Sequence, residues 1–300
     1  DRERLTGLYR AAIETQVVPS YRKLRDYMRD EYLPKTRLSD GMEGLPNGKA
    51  WYAYNVKRVT TTDYTPEQIH QIGLDEVKRI YGEMEAVMKQ VGFKGTRNEF
   101  FKHLNTDPQF FFDHREDLIA GYDAIRKRVN PQLPQLFETL PKADYEVRAV
   151  EPFREKSAAG GQYQAANEDG TRPGIFYANA YDLRARPKWA MEALSLHEAN
   201  PGHHFQISIQ REQRDLPKFR RFGGFTAYSE GWALYAESLG NQLGMYTDPY
   251  QYFGRLEGEL WRAIRLVVDT GLHAKGWTRE QVLEYMDANS SAAGARRVSE

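Results

Sequence analysis

The chain has 300 residues, enough to bury a large core as one domain or to split into two. Its 42 Lys and Arg cancel its 42 Asp and Glu, so no global field draws nucleic acid or an anionic membrane, and nucleic acid is not an expected partner. There is no cysteine, which removes thiol nucleophiles, disulfides and cysteine-held zinc together; any transition metal must be held by histidine and carboxylate.

Residues 1–32 read as a long amphipathic helix, with Leu5, Leu8, Ile13, Val17, Tyr21, Leu24 and Met28 at helical spacing and Pro19 expected to kink it. Residues 34–48 carry the Gly, Pro and Asn of a loop. Thr65-Pro66-Glu67-Gln68 starts a helix, with Thr at the N-cap, Pro at the first position and Gln68 three residues on; it runs to about Val91, where Gly92 stops it. Two more helices are expected at 114–129 and 131–138, divided near Pro131. Alternation then predicts strands over 145–150, 161–165 and 174–179, with a hairpin-type turn at 167–170. Helices return over 188–199, 203–214, 226–241, 249–274 and 278–288. The expected fold is mainly α: a single mostly helical domain, residues 1–140 forming N-terminal helices and 141–300 a small antiparallel sheet followed by the helices of the site. No apolar run approaches the roughly 20 residues of a membrane span. Asp1-Arg-Glu-Arg is not a secretory leader, and the missing initial Met makes removal of an upstream region an expectation. The compartment stays open between the cytoplasm and the bacterial periplasm or cell envelope, and the oligomeric state is not encoded in any pattern here.

Three of the seven histidines fall within eight residues, in Leu196-His197-Glu198-Ala199-Asn200-Pro201-Gly202-His203-His204. Zinc with nitrogen and oxygen ligands takes about three protein groups and leaves a position for water, whose proton a neighbouring carboxylate removes. In H-E-x-x-H the two histidines are four apart on one helix face. His197 and His203 are six apart, which on a straight helix is roughly 9 Å of rise and about 120° off-face. A shared ion therefore requires a break, and Pro201-Gly202 supplies one. His204, seven on, ranks second as a ligand. The structural alternative is a set of ordinary core histidines. Downstream, Glu230 and Glu237 fall on one face of a helix whose apolar side is expected to bury, where a carboxylate needs a partner or a cation. A further helix carries Arg262, Arg265, Asp269 and His273, either plain surface ion pairs or a carboxylate orienting a histidine beside an oxyanion-stabilising cation. No G-x-S-x-G, P-loop or G-x-G-x-x-G is present, and the S-x-x-K match at Ser20–Lys23 stands alone. Asn289-Ser290-Ser291 is a glycosylation sequon only in a glycosylating pathway.

The strings His197 to Gln206, Glu230 to Glu237 and Arg265 to His273 resemble the bacterial domain-of-unknown-function family eight-eight-five, with its H-E-x-x-P-G-H-H-x-Q, E-G-W-A-L-Y-x-E and R-L-V-V-D-T-G-L-H. Asp169-Gly170-Thr171-Arg172-Pro173-Gly174 and Tyr177-Ala178-Asn179 match its lead-in, and the likeness covers at least residues 140–290. That family is thought to be related to the gluzincin metallopeptidases, mostly helical enzymes that include carboxypeptidases and dipeptidyl carboxypeptidases. The resemblance implies a gluzincin-like helical fold, a Zn2+ cofactor held by His197, His203 and Glu230, and Glu198 as general base. It also implies a further C-terminal segment beyond Glu300, making the sequence a piece of a longer protein.

The resulting expectation is a zinc-dependent metallopeptidase acting on short peptides, carboxypeptidase- or dipeptidase-like. His273 or Arg265 would stabilise the oxyanion. Arg172 or Arg262 would hold a substrate carboxylate, with Tyr177 and Asn179 also assigned to substrate binding. The 174–179 strand, by analogy with related zinc peptidases, would pair with the extended substrate. The rival expectation is a catalytically inactive helical module that binds a peptide or another ligand.

Overall fold

The structure is a computed structural model and describes residues 1–168 and 171–291. The chain is mainly helical with one three-stranded sheet among the described residues. Helices α1 (Arg2–Ala12) and α2 (Val18–Tyr27) form one run with the π-turns Ile13–Val17 and Met28–Tyr32 and a closing 3-10 turn, Leu33–Lys35. Pro19 was expected to kink this run; it lies in the first turn of α2, directly after a π-turn, and the helix continues. A π-turn already departs from the i to i−4 pattern, so a residue without an N–H is received there without ending the helix. No residue of the run is buried, so its apolar stripe faces solvent.

Helix α3 (Gly48–Thr60) and the later α5 (Arg97–Thr106) have no counterpart among the expected elements. Helix α4 (Pro66–Gln90) begins at the Thr65–Gln68 capping box that its sequence predicts, and α5 begins at a second one, Thr96–Glu99. Helix α6 spans Arg115–Val129, after which the expected helix over 131–138 is a 3-10 stretch, Asn130–Gln135, because Pro131 and Pro134 withhold two amides from any α-helical ladder.

Strands β1 (Tyr145–Ala149), β2 (Gly161–Gln164) and β3 (Gly174–Ala178) are ordered β1-β3-β2. The sheet is mixed rather than antiparallel: β2 runs antiparallel to β3, but β1 runs parallel to it, with Tyr145 opposite Gly174. Alternation identifies strands but says nothing of a neighbour's direction, and the parallel pair is reached across an intervening connection that includes β2. All five residues of β3 are buried. With a strand on each side it has no open edge, which overturns the expectation that 174–179 pairs with substrate. The sheet's two edges belong to β1 and β2, of which β2 is the one that packs against the helix Met191–Glu198. Asn179 donates its N–H to Gly160 O at 2.9 Å, so by the period of two the main-chain groups of Gln162 and Gln164 face β3 and those of Gly161 and Tyr163 face outward. Of the expected turn, Asn167 closes the β2–β3 connection onto Arg172, while Asp169 and Gly170 lie outside the described residues.

The remaining helices are α7 (Met191–Glu198), α8 (His203–Glu212), the short α9 (Lys218–Phe222), α10 (Thr226–Ser238), α11 (Pro249–Ala274) and α12 (Arg279–Asn289). Val77, Ile80, Met84 and Val87 of α4 share a core with Leu256, Leu260, Ile264 and Val268 of α11. A second core joins Phe176 of β3 to Leu118, Tyr122 and Ile125 of α6 and Leu196 of α7. Helix α7 thus sits between the sheet-side core and α10 and α11, which is the position from which it presents its C-terminal end. Leu260, 1% exposed, is a keystone of the first core; Leu8 is 57% exposed on the N-terminal run. Leu260→Ala is expected to lower the unfolding free energy by about 2–5 kcal/mol in urea titration, and Leu8→Ala by less than about 0.5 kcal/mol.

Candidate metal centre

Helix α7 ends at Glu198, and the chain leaves helical dihedrals at Ala199 (φ −110, ψ −117) and Gly202 (φ −78, ψ −126) before α8 starts at His203. The break falls where Pro201-Gly202 placed it in the sequence. Gly202 lies so close beneath α7 that a Cβ would sit 1.9 Å from the His197 carbonyl oxygen and 2.3 Å from that of Leu196. Trp232 Nε1–H donates to Pro201 O at 2.7 Å, and Asn200 Nδ2 donates to Asn130 Oδ1 at 3.0 Å, so the turn is held from two sides. The outcome is that the His197 and His203 rings stand 4.8 Å apart between centroids, almost perpendicular at 84°.

Helix α10 brings the third group. Glu230 Oε2 is 3.4 Å from His197 Nε2, and Glu230 Oε1 is 3.5 Å from His203 Nε2. One ligand atom from each of the three residues lies within 4.8 Å of the others, a set that could hold a metal ion. Two turns further along α10, buried Glu237 places Oε1 2.8 Å from His197 Nδ1. That contact orients the ring: Nδ1–H donates to Glu237 and Nε2 is left facing Glu230. Glu237 was visible in the sequence as sharing a face with Glu230, but its role was not. Only the fold shows that the second carboxylate meets the back of the first histidine.

Each titratable group is displaced by its surroundings. Burial works against charging His197, yet its contacts to Glu230 and Glu237 outweigh this and push its pKa up to about 9. The same two imidazoles, His197 and His203, hold Glu230 well below the usual carboxylate range. Glu198, next in sequence to His197, is pushed upward by burial, against the opposing pull of both histidines. The main-chain N–H of Tyr163, on the open edge of β2, faces this carboxyl. Arg262 of α11 completes the surroundings, its Nη2 3.3 Å from both ring nitrogens of His197 and 3.6 Å from Glu230 Oε2.

His204 is turned away. Its Nδ1 meets Tyr163 OH at 2.9 Å, its ring packs on Tyr145, and burial lowers its pKa to about 4. Adjacent helical residues diverge by about 100°, so one of the pair faces the cluster and the other the sheet. His203 is the one that faces the cluster. The structure does not bring the other candidates to it. Asn179 is 2% exposed, donates Nδ2–H to Glu155 O and Ala158 O, and accepts from Tyr181 N–H, so its amide ties a loop. Tyr177 is buried beneath the Arg154 guanidinium. Arg172 donates to Ala165 O and lines a separate cavity with Lys142, Ser208 and Arg211. His273 accepts from Met42 N–H at 3.1 Å and faces Asp269, eleven residues or roughly 16 Å along α11 from Arg262. Arg265 is exposed on the same helix.

Residues 1–300 match the model of one family, described as bacterial proteins of unknown function (DUF885). The crystal structure of a protein from Colwellia psychrerythraea described as a lipoprotein superimposes with a TM-score of 0.92 at 40% identity, over 96% of this chain and 50% of that one. A protein from Shewanella oneidensis described as a lipoprotein of unknown function shares the fold, with a TM-score of 0.66 at 18% identity over 98% of this chain and 54% of that one. The chain therefore spans about half the length of these relatives. No curated protein matches it. Among the described residues no helix is long and apolar enough to cross a membrane.

Gly202→Ala is expected to destabilise the protein by at least about 1–3 kcal/mol in urea unfolding, since the new methyl meets two backbone carbonyls that cannot step aside. Gly224→Ala, where a Cβ has no neighbour within 4 Å, is the control and should change stability little.

Proposed function

The chain belongs to the DUF885 family of bacterial proteins of unknown function, and from its own geometry we propose that it is a zinc-dependent hydrolase of short peptides, carboxypeptidase-like in its mode of cleavage. The observation that carries this reading is the convergence of His197, His203 and Glu230 beside the half-buried carboxyl of Glu198. Ligand atoms around a tetrahedral zinc at about 2.0–2.1 Å lie roughly 3.4 Å apart. Glu230 meets each histidine at 3.4 and 3.5 Å through a different oxygen, and one atom from each of the three lies within 4.8 Å of the others, close enough for a small contraction to enclose an ion. The donor set, two imidazole nitrogens and one carboxylate, is the set found in catalytic zinc sites. It also supports a gluzincin-like reading of the helical fold.

When bound, the zinc would supply Lewis acidity to a water and to the scissile carbonyl. Glu198 takes the proton of the attacking water and delivers it to the leaving amine. Its upward shift brings it towards the range in which one carboxyl both accepts and returns a proton. Glu237 fixes the tautomer of His197 so that Nε2 points inward. Arg262, at the edge of the cluster, is the cation best placed to hold a substrate carboxylate. The outward groups of Gly161 and the Tyr163 carbonyl on β2 offer main-chain pairing to an extended peptide, the part that β3 cannot play. His273 and Arg172, remote from the cluster, have no part in these steps. The lipoprotein descriptions of the two relatives support a place at the cell envelope.

Elemental analysis of untagged, dialysed protein is expected to find about one zinc per chain, lost in His203→Ala and kept in His204→Ala if the fold survives. No zinc even after incubation with excess would overturn the reading in favour of an inactive ligand-binding module. Glu198→Gln is expected to keep the metal and lower turnover of blocked dipeptides by at least roughly a hundredfold; a variant that turns over like the parent removes Glu198 from the base role.

A further inference from the structure

Arg262 is the first of a row. Residues 262, 266, 269 and 273 of α11 lie within about 60° of arc around the helix axis and form part of its solvent-facing side. Arg262 reaches the cluster. Leu266, one turn on, is an apolar side chain left 37% exposed. Asp269, roughly 10 Å along the axis from Arg262, has a side chain 60% exposed. Its Oδ2 accepts from Tyr52 OH on α3 at 2.6 Å, which fixes the carboxylate, and its Oδ1 is 3.8 Å from His273 Nε2. His273 in turn uses Nδ1 to accept from Met42 N–H, so its neutral ring turns Nε2–H towards Asp269. Helical side chains lean towards the N-terminus, so Asp269 leans towards Arg262.

We propose that this row is a specificity subsite for a C-terminal lysine or arginine. Arg262 holds the α-carboxylate, Leu266 floors the aliphatic stem, and Asp269 takes the cationic tip. The proposal rests on the hydrolase reading for its placement of the C-terminal carboxylate. A lysine reaches roughly 7 Å from carboxylate to ammonium, and with a charge-assisted contact of about 3 Å at each end it spans roughly 13 Å, enough to cover the rise of roughly 10 Å from Arg262 to Asp269 along the helix. The order of the row also carries meaning. Asp269 lies beyond Arg262 as seen from the cluster, so a cation there belongs to the residue whose carboxylate Arg262 binds. A long stem packs on an apolar floor while its charge stays solvated, which is how lysine and arginine settle on half-exposed surfaces.

The test compares benzoylglycyl-lysine and benzoylglycyl-arginine with benzoylglycyl-leucine, benzoylglycyl-Nε-acetyllysine and glycyl-glycyl-leucine. Turnover is measured with the zinc-loaded protein, and binding by calorimetry with the zinc-loaded Glu198→Gln protein. The lysine and arginine peptides are expected to exceed the leucine and acetyllysine peptides by roughly tenfold in both kcat/KM and affinity. In Asp269→Asn, which keeps an acceptor for Tyr52, the lysine-to-leucine ratio should fall towards one. Asp269→Arg should shift preference to benzoylglycyl-glutamate. Equal handling of lysine, acetyllysine and leucine by the parent protein overturns the subsite, as does a preference that survives Asp269→Asn. A preference for glycyl-glycyl-leucine that Asp269→Asn abolishes assigns the cation to the peptide N-terminus and overturns the side-chain assignment. If nothing is cleaved, the hydrolase reading fails on its own, and calorimetry still decides the subsite by the same ratios. If Asp269→Asn does not fold, the acetyllysine comparison on the parent protein decides it.

Discussion

The approach of Gly202 to the carbonyl oxygens of His197 and Leu196 is the contact on which the rest of the site depends. A straight continuation of α7 would carry the second histidine a third of a turn off-face and roughly 9 Å away. The break instead folds α8 back, and its tightness sets how near His203 can come. Any Cβ at this position must push α7 and α8 apart, and the 4.8 Å between the two imidazoles would widen with it. The contact is steric and local, yet it fixes the relative placement of groups from three helices: α10 docks through Trp232 onto the carbonyl of Pro201, inside the same turn. Glu230 and Glu237 are thereby positioned by the element that positions the histidines.

Charge makes the same cluster unusual for a protein interior. Glu198, Glu230 and Glu237 face one another's neighbourhood with Arg262 as the cation, and with neutral imidazoles this leaves two negative charges in excess. Glu237 is buried and Glu230 half-exposed, so part of this excess lies out of water, and that part is unfavourable unless something offsets it. Without a metal, protons do so: His197 holds its proton up to about 9, and Glu230 leans on both rings. A divalent cation offsets the same charge while leaving Glu237 to hold the far side of His197.

Much of this was legible in the sequence, and the failures have physical causes. The helices with strong periodicity or a capping box, α4 and α11 above all, lie where expected. Helix α3 was missed because only Gly48, Tyr52 and Val56 of its thirteen residues are buried, while Trp51 and Tyr54 face solvent, which blurs the stripe. The direction of β1 and the strand order were not readable, since strand periodicity is blind to its neighbour, and with the order went the central place of β3. The six-residue histidine spacing correctly signalled a break at Pro201-Gly202, but it left His203 and His204 unresolved; only the phase at which α8 restarts separates them. Glu237 announced itself as a second acid on the Glu230 face and nothing more.

Residues that stood out together as motifs turn out to divide between chemistry and shape. Tyr177 and Asn179 follow Arg172 closely in the sequence, yet Asn179 ties a loop, Tyr177 lies beneath Arg154, and Arg172 serves a different cavity. The Arg265–His273 string behaves differently again. A helix is a ruler of about 1.5 Å per residue, so its two ends cannot both touch one reacting bond. What the ruler permits is a series of contacts along an extended ligand, beginning at the cluster and continuing away from it. On that ground the far end of the row, Tyr52–Asp269–His273, is too remote from the cluster to share in chemistry there. There one carboxylate oxygen of Asp269 is fixed by Tyr52 OH and the other faces His273 Nε2 at 3.8 Å.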